Sequence, residues 1–128
     1  MKQSLVILGA TGSVGVSTLD VVARHPERFE VFALTANGRV AELEALCLQW
    51  RPRYAALGDA ASANDLQRRL RVQGVATEVL CGEAALCELA AHPEVTTVMA
   101  AIVGVAGLAA CLAAARSGRV VSVDKANV

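Results

Sequence analysis

The sequence predicts an α/β fold: a doubly wound parallel sheet with a layer of helices on each face, three layers in all. Short apolar runs rich in β-branched residues alternate with longer stretches that carry apolar residues at helical spacing. A glycine-rich turn joins the first apolar run to the first helical stretch. The chain holds only two Phe, one Trp and one Tyr, so its core must be built from Val, Leu, Ile and many Ala, which suits helices packed closely on a sheet.

Length and charge restrict the kind of protein this can be. A chain of 128 residues fits one domain, and 55% apolar against 19% charged residues predicts a folded chain rather than a disordered one. Twelve Lys and Arg balance twelve Asp and Glu, and Arg68, Arg69 and Arg71 are interpreted as the solvated face of one helix. We therefore expect no nucleic-acid or membrane surface, and a small molecule or another protein as partner.

Strand and helix alternate from the first residues to the last. The predicted strands cover residues 4–8, 30–35, 53–57, 77–80, 96–100 and 120–123. The predicted helices run from the glycine turn to Pro26 and over residues 40–50, 60–72, 83–91 and 105–117, the last of them capped by Gly118. No linker or repeat interrupts this order, which predicts one domain.

Two apolar segments and the cysteines indicate the cellular compartment. The uncharged run over residues 98–115 has the length of a membrane span, but Gly104 and Gly107 interrupt it, which favours a strand, a loop and a buried helix. The apolar run near the N-terminus is shorter than the core of a signal peptide. We expect a cytoplasmic protein whose cysteines, Cys47, Cys81, Cys87 and Cys111, are reduced apolar fillers rather than metal ligands, since none forms a CxxC pair.

The glycine turn is the first candidate site. Gly9, Gly12 and Gly15 stand where a strand-to-helix turn that binds a pyrophosphate needs residues without a β-carbon. Thr11 and Ser13 add hydroxyls that can donate to phosphate oxygens. The pattern favours dinucleotide binding, and the alternative is a tight turn with a purely structural role.

The end of the second predicted strand indicates which dinucleotide. NAD sites carry an Asp or Glu about 20 residues after the turn, where it would repel a 2′-phosphate. This chain has none there: residues 35–39 read TANGR, which offers small donors and the Arg39 guanidinium and so favours NADP(H). The alternative is that Arg39 is only a solvated residue at the start of the next helix.

Catalytic machinery is not evident. His25 ends the first helix and His92 precedes Pro93 in a turn, and both are interpreted as surface caps. Neither a nucleophile with its base, nor a pair of acid and base carboxylates, nor a metal cluster can be assembled from the remaining residues.

The motifs resemble those of a known family. Residues 9–15 (GATGSVG), 17–22 (STLDVV), 52–55 (PRYA) and 98–104 (VMAAIVG) are similar to the N-terminal domain of 1-deoxy-D-xylulose 5-phosphate reductoisomerases. The resemblance implies a Rossmann-like fold and an NADPH-dependent oxidoreductase of non-mevalonate isoprene biosynthesis. Such enzymes rearrange 1-deoxy-D-xylulose 5-phosphate and reduce the aldehyde to 2-C-methyl-D-erythritol 4-phosphate, with Mg²⁺ or Mn²⁺ as a second cofactor.

The resemblance also implies site residues. The pyrophosphate turn would include Thr11, Gly12, Ser13 and Val14; the 2′-phosphate and adenosine site Asn37, Gly38 and Arg39; and the backbone beside the nicotinamide Ala101 and Ile102.

The last residues depart from the family pattern Ala-Asn-Lys-Glu, in which Asn and Glu lie near the cofactor and Lys near the substrate. An ungapped alignment puts Ala126 on the family Lys. A one-residue deletion instead puts Lys125 there, as the one candidate contact to substrate, with Asp124 on the family Asn.

Family members are two or three times as long as this chain by the usual domain arithmetic. Residues 1–128 would be their NADP(H)-binding domain, and the metal ligands and the sugar-phosphate site would follow it, in an enzyme that is a homodimer in the family. We expect the 128-residue chain alone to be inactive. The alternative is a free-standing, non-catalytic module that senses NADP(H).

Overall fold

The computed structural model of this chain describes residues 2–100, 113–116, 118 and 120–123, with the main chain alone at residues 13, 14 and 120–123. These residues form β1 (Gln3–Leu8), α1 (Ser13–Ala23), β2 (Phe29–Thr35), α2 (Val40–Trp50), β3 (Tyr54–Leu57), α3 (Ala60–Val72), β4 (Glu78–Cys81), α4 (Glu83–Ala90), β5 (Thr97–Ala100) and β6 (Val120–Val123). The predicted bounds of α2, α3 and β6 are confirmed to the residue, and those of α4 and the other strands to within one residue. Of the helix predicted over residues 105–117, only 113–116 are described, and they are helical.

The sheet is doubly wound, as predicted. Its strand order is β4-β3-β2-β1-β5-β6, and every neighbouring pair is parallel. The chain moves outward from β1 to β4, then crosses to the other side of β1 to add β5 and β6. The direction of winding therefore reverses beside β1, and in such sheets ligands bind at the carboxyl ends of the strands next to this reversal.

Helices cover both faces of the sheet, so the three predicted layers are confirmed. On one face, Ile7 and Leu34 pack with side chains from α1, α2 and α3, such as Leu43. On the other face, Val6 packs with side chains from α4 and from residues 113–116, such as Leu89. Successive residues of β1 are thus fully buried on opposite faces, which explains why its sequence is a continuous apolar run.

The arginines of α3 lie on an exposed helix face, as predicted. Arg68 and Arg69 pair with Asp65 at 2.9 and 3.2 Å, and Arg69 also reaches Glu44 of α2 at 3.1 Å. Two of the three cationic charges are therefore balanced by carboxylates of the same fold.

Two sequence interpretations need correction. His92 is half-buried rather than a surface cap, because its ring lies 4.7 Å from the Phe32 ring and its Nδ1 accepts the Glu94 N–H. Cys47 is buried, as expected for an apolar filler, but Cys81 is exposed at the end of β4. Among the described residues, no helix has both the length and the apolar character that crossing a membrane requires.

Candidate functional site

The glycine turn leads from the central strand into α1. β1 ends at Leu8, and Gly9 adopts φ +79°, a left-handed conformation that residues with a β-carbon rarely adopt. The Gly12 N–H donates to the Gly9 carbonyl at 3.2 Å and closes the turn. α1 then begins at Ser13, so the turn lies at the carboxyl end of β1, beside the point where the winding reverses.

The other two glycines of the turn have different roles. A β-carbon on Gly15 would lie 2.3 Å from the Gly9 carbonyl oxygen and 2.7 Å from the Ala10 Cα, so glycine is required for α1 to pack on the turn. Among the described atoms, a β-carbon on Gly12 would meet only the Gly9 carbonyl oxygen, at 3.6 Å, which is an ordinary contact. Neither packing against the described residues nor the backbone angle, φ −78°, explains a glycine at position 12. Close approach of a bound group would explain it.

The N-terminus of α1 suits an anion. Its N-cap residue, Gly12, makes no side-chain capping hydrogen bond, and the first turn holds no acidic residue. By contrast, the Asp59 carboxylate caps α3 by accepting the Ser62 N–H at 2.9 Å. The first N–H groups of a helix have no partner within it and form the positive end of its dipole. Such an uncapped end is a binding site for phosphate.

Thr35, the last residue of β2, fixes the position of the turn. Its hydroxyl oxygen accepts the Gly9 N–H at 3.3 Å, and its carbonyl accepts the Ala10 N–H at 2.8 Å. The residue is only 2% exposed. Its hydroxyl is therefore not one of the small donors that the sequence offered to a 2′-phosphate, and that part of the interpretation is wrong. Thr35 instead links the glycine turn to the loop after β2.

The loop after β2 presents the predicted residues Asn37, Gly38 and Arg39, all exposed. The Gly58 N–H, just past β3, donates to the Asn37 carbonyl at 3.2 Å and attaches the loop to the neighbouring strand end. Arg39 is the N-cap residue of α2. No carboxylate in the described part of the chain pairs with its guanidinium, so it is a helix-start residue whose charge is open to a ligand.

The remaining predicted residues divide into two groups. Thr11 is half-buried in the turn, and the main chain of Ser13 and Val14 forms the start of α1. Ala101, Ile102, Asp124 and Lys125 lie outside the described residues. No group of three or more His, Cys, Asp or Glu able to hold a metal ion occurs among residues 2–100 and the other described positions.

Sequence reasoning missed two residues of this region. Thr35 was predicted to end a strand and to offer a donor to the 2′-phosphate, not to hold the glycine turn, and Gly58 was not singled out. Both act through contacts between neighbouring strand ends, and only the order of strands in the sheet brings those ends together. The single available signal was a glycine directly after a strand, which a tight turn also explains.

Together these features define a doubly wound α/β protein with a dinucleotide-type glycine turn. The sequence model of the 1-deoxy-D-xylulose 5-phosphate reductoisomerase family matches residues 5–127. The chain belongs to this family, as its motifs indicated.

Close relatives and solved structures agree. The 1-deoxy-D-xylulose 5-phosphate reductoisomerase of Stutzerimonas stutzeri is 64% identical over 115 residues, which are 90% of this chain and 29% of the relative. That of Aromatoleum aromaticum is 61% identical over 117 residues, 91% of this chain and 29% of the relative. The structure of the enzyme from Zymomonas mobilis in complex with NADPH is 40% identical, with a TM-score of 0.87, and the match covers 96% of this chain and 32% of that one.

A second solved structure, a DOX-P reductoisomerase in complex with NADPH, fosmidomycin and magnesium, is 42% identical with a TM-score of 0.89. The match covers 93% of this chain and 29% of that one. The chain thus spans less than a third of the length of the relatives it matches.

Proposed function

We propose that residues 1–128 form the NADPH-binding domain of a 1-deoxy-D-xylulose 5-phosphate reductoisomerase. The observation that carries the proposal is the uncapped N-terminus of α1, together with a glycine at position 12 that no contact among the described residues requires. The two solved relatives in complex with NADPH, at 40% and 42% identity, support the same cofactor for this chain.

The glycine turn would bind the pyrophosphate. The main-chain N–H groups of Ser13 and Val14 would donate to phosphate oxygens, and Gly12 would let those oxygens approach the backbone. The Thr11 hydroxyl would add a further donor. Gly9 and Gly15 would shape the turn and seat α1 on it.

The loop after β2 would select NADPH over NADH. The Arg39 guanidinium is exposed and unpaired among the described residues, and it can form a charge-assisted contact with a 2′-phosphate. Asn37 and Gly38 would complete this part of the site. The absence of Asp and Glu from residues 35–39 supports the choice, since a carboxylate there would repel the phosphate.

The remaining assignments rest on the family resemblance. Ala101 and Ile102 would line the nicotinamide end, Asp124 would lie near the cofactor, and Lys125 would contact the substrate. NADPH, when bound, supplies the hydride for reduction.

For the whole protein we propose the family reaction, the isomerisation and reduction of 1-deoxy-D-xylulose 5-phosphate to 2-C-methyl-D-erythritol 4-phosphate. A cytoplasmic homodimer with a sugar phosphate as substrate is part of this proposal. The described residues do not fit the family's divalent metal, since no cluster of suitable ligands occurs among them. The family resemblance places the metal ligands outside the described residues.

Titration calorimetry of the chain with NADPH and with NADH tests the cofactor assignment. We expect NADPH to bind more tightly, and Arg39→Ala to weaken NADPH binding by about 1 kcal/mol, roughly fivefold, while NADH binding changes little. Arg71→Ala, which removes an exposed arginine from α3, is the matched control and should change neither affinity. Equal affinities for the two cofactors, or tighter binding of NADH, would overturn the proposal.

A further inference from the structure

Gly58 lies directly against Asn37. β3 ends at Leu57, and the next residue, Gly58, donates its N–H to the Asn37 carbonyl at 3.2 Å. A β-carbon at position 58 would lie 2.6 Å from the Asn37 Oδ1 and 3.0 Å from the Asn37 carbonyl oxygen. Any side chain at position 58 would therefore force Asn37 to move.

The backbone of Gly58 does not itself require glycine. The glycines with positive φ among the described residues are Gly9, Gly74, Gly82 and Gly118, so Gly58 has angles that other residues adopt. What requires glycine here is the space that the Asn37 carboxamide occupies.

The loop is restrained on the β3 side and open on the other. Next to Asn37, a β-carbon on Gly38 would have no described atom within 4 Å. The Gly58 N–H attaches Asn37 to the end of β3, whereas the space beside the Gly38 Cα is open among the described residues. Displacing Asn37 from the end of β3 would therefore alter the loop that carries Gly38 and Arg39.

We propose that Gly58 is a positioning residue for the 2′-phosphate of NADP(H), acting through Asn37. By lacking a side chain, it lets the Asn37 carboxamide lie against the end of β3 and leaves the phosphate its place beside Gly38 and Arg39. The inference rests on the proposed NADPH-binding function and assigns cofactor selectivity to a residue that does not touch the cofactor.

The effect should be specific to the 2′-phosphate. NADH lacks this group, so at the loop after β2 it would keep only the contacts with the adenosine. A phosphate needs donors at fixed positions around its oxygens, and a shift of the loop removes that fit. If Gly58 had only a structural role, its substitution would instead weaken the binding of both cofactors equally.

The experiment is a double-variant cycle on Gly58→Ala and Asn37→Ala, with NADPH and NADH affinities measured by calorimetry. We expect Gly58→Ala to weaken NADPH binding about fivefold and to change NADH binding by no more than about twofold. The preference of the chain for NADPH over NADH should therefore become smaller. In the Asn37→Ala background, which lacks the Oδ1 at 2.6 Å and keeps only the carbonyl oxygen at 3.0 Å, the same change should have a much smaller effect. Ala76→Ser, in an exposed loop away from this edge, is the control.

The outcomes separate this inference from the proposed function. If the parent chain does not prefer NADPH, the proposed function fails. If it does, but Gly58→Ala leaves the ratio of the two affinities unchanged or lowers both equally, the positioning role of Gly58 is wrong. If Gly58→Ala alone folds poorly, the double variant decides, because it must then bind NADPH as tightly as Asn37→Ala does.

Discussion

Gly15 and Gly9 are in direct contact across the turn that opens α1. A β-carbon on Gly15 would come within 2.3 Å of the Gly9 carbonyl oxygen, a distance that no relaxation of a side chain could relieve because the obstacle is backbone. Gly9 itself is held at φ +79° by the fold of the turn. Backbone conformation and packing therefore require glycine at positions 9 and 15, whereas no contact among the described residues requires it at position 12.

Mutations can therefore distinguish the packing role of Gly15 from the ligand-binding role proposed for Gly12. We expect Gly15→Ala to reduce the free energy of unfolding by about 1–3 kcal/mol in urea denaturation, because α1 must move off the turn. Gly12→Ala adds the same methyl group at a position with room for it, and should leave stability nearly unchanged while weakening NADPH binding. A loss of stability in Gly12→Ala equal to that in Gly15→Ala would contradict the separation of roles.

Thr35 gives a second prediction. In Thr35→Val the Gly9 N–H loses its acceptor, so we expect a loss of about 1–2 kcal/mol in unfolding free energy and faster hydrogen exchange of the Gly9 amide. Thr35→Ser keeps the hydroxyl and loses only a methyl group, and the Gly9 amide should stay protected. Equal exchange rates in the two variants would show that the hydroxyl contributes nothing.

Cysteine labelling at pH 8 tests the core. Burial and the nearby Glu44 carboxylate raise the pKa of Cys47 to about 12, so its reactive thiolate is almost absent, whereas Cys81 is exposed. Iodoacetamide should modify Cys81 in the folded chain and Cys47 only after denaturation. Mass spectrometry of tryptic peptides reads out both sites, and rapid modification of Cys47 under native conditions would contradict the packing of α2.

The same thiol predicts loss of stability in alkali. Because the folded-state pKa of Cys47 exceeds the ordinary value of 9.0, the unfolded chain ionises first as pH rises. Its contribution to stability is complete below pH 9 and declines above it by about 1 kcal/mol for each pH unit until the folded pKa is reached. Cys47→Ala should remove this part of the pH dependence; an unchanged alkaline slope would refute the assignment.

The Asp59 carboxylate should make the stability of the folded chain decrease in acid. The Ser62 N–H holds the pKa of the Asp59 carboxyl below its ordinary value, so the folded state favours the ionised form. The resulting stabilisation is present above the ordinary Asp pKa of 3.8 and is lost as pH falls through the lower folded pKa. Asp59→Asn, a neutral cap, should be less stable than the parent chain at pH 7, and the difference should narrow as pH falls below 3.8. Thermal melts over this pH range measure the difference.

Local sequence signals were enough for the elements of the fold. The bounds of α3 were predicted to the residue, and the structure shows a capping carboxylate, Asp59, before it and a glycine with positive φ, Gly74, after it. The apolar run of β1 was predicted only as a strand, and the structure places that strand inside the sheet, with residues buried on both faces. The alternation of strands and helices then left a doubly wound parallel sheet as the natural architecture.

Only part of the site could be predicted from the sequence. A glycine pattern with fixed spacing identifies the turn after β1 because the chemistry of that turn is local. The pairing of Thr35 with Gly9 and the contact of Gly58 with Asn37 join residues from different strands, and no periodicity reports which strands are neighbours. His92 was misjudged for the same reason, since the ring of Phe32 that covers it belongs to β2.

The place of β1 in the sheet also affects how the protein is made. β1 leaves the ribosome before the other described strands, yet one of its two edges pairs with β5, and the bonded residues Ser4 and Thr96 are 92 positions apart. At a synthesis rate of roughly 5–20 residues per second, that edge stays open for several seconds while the rest of the domain is made. An open apolar strand edge is a template for pairing with other chains. A nascent chain interrupted before β5 would therefore be prone to aggregate, even though β1 to β4 are already complete.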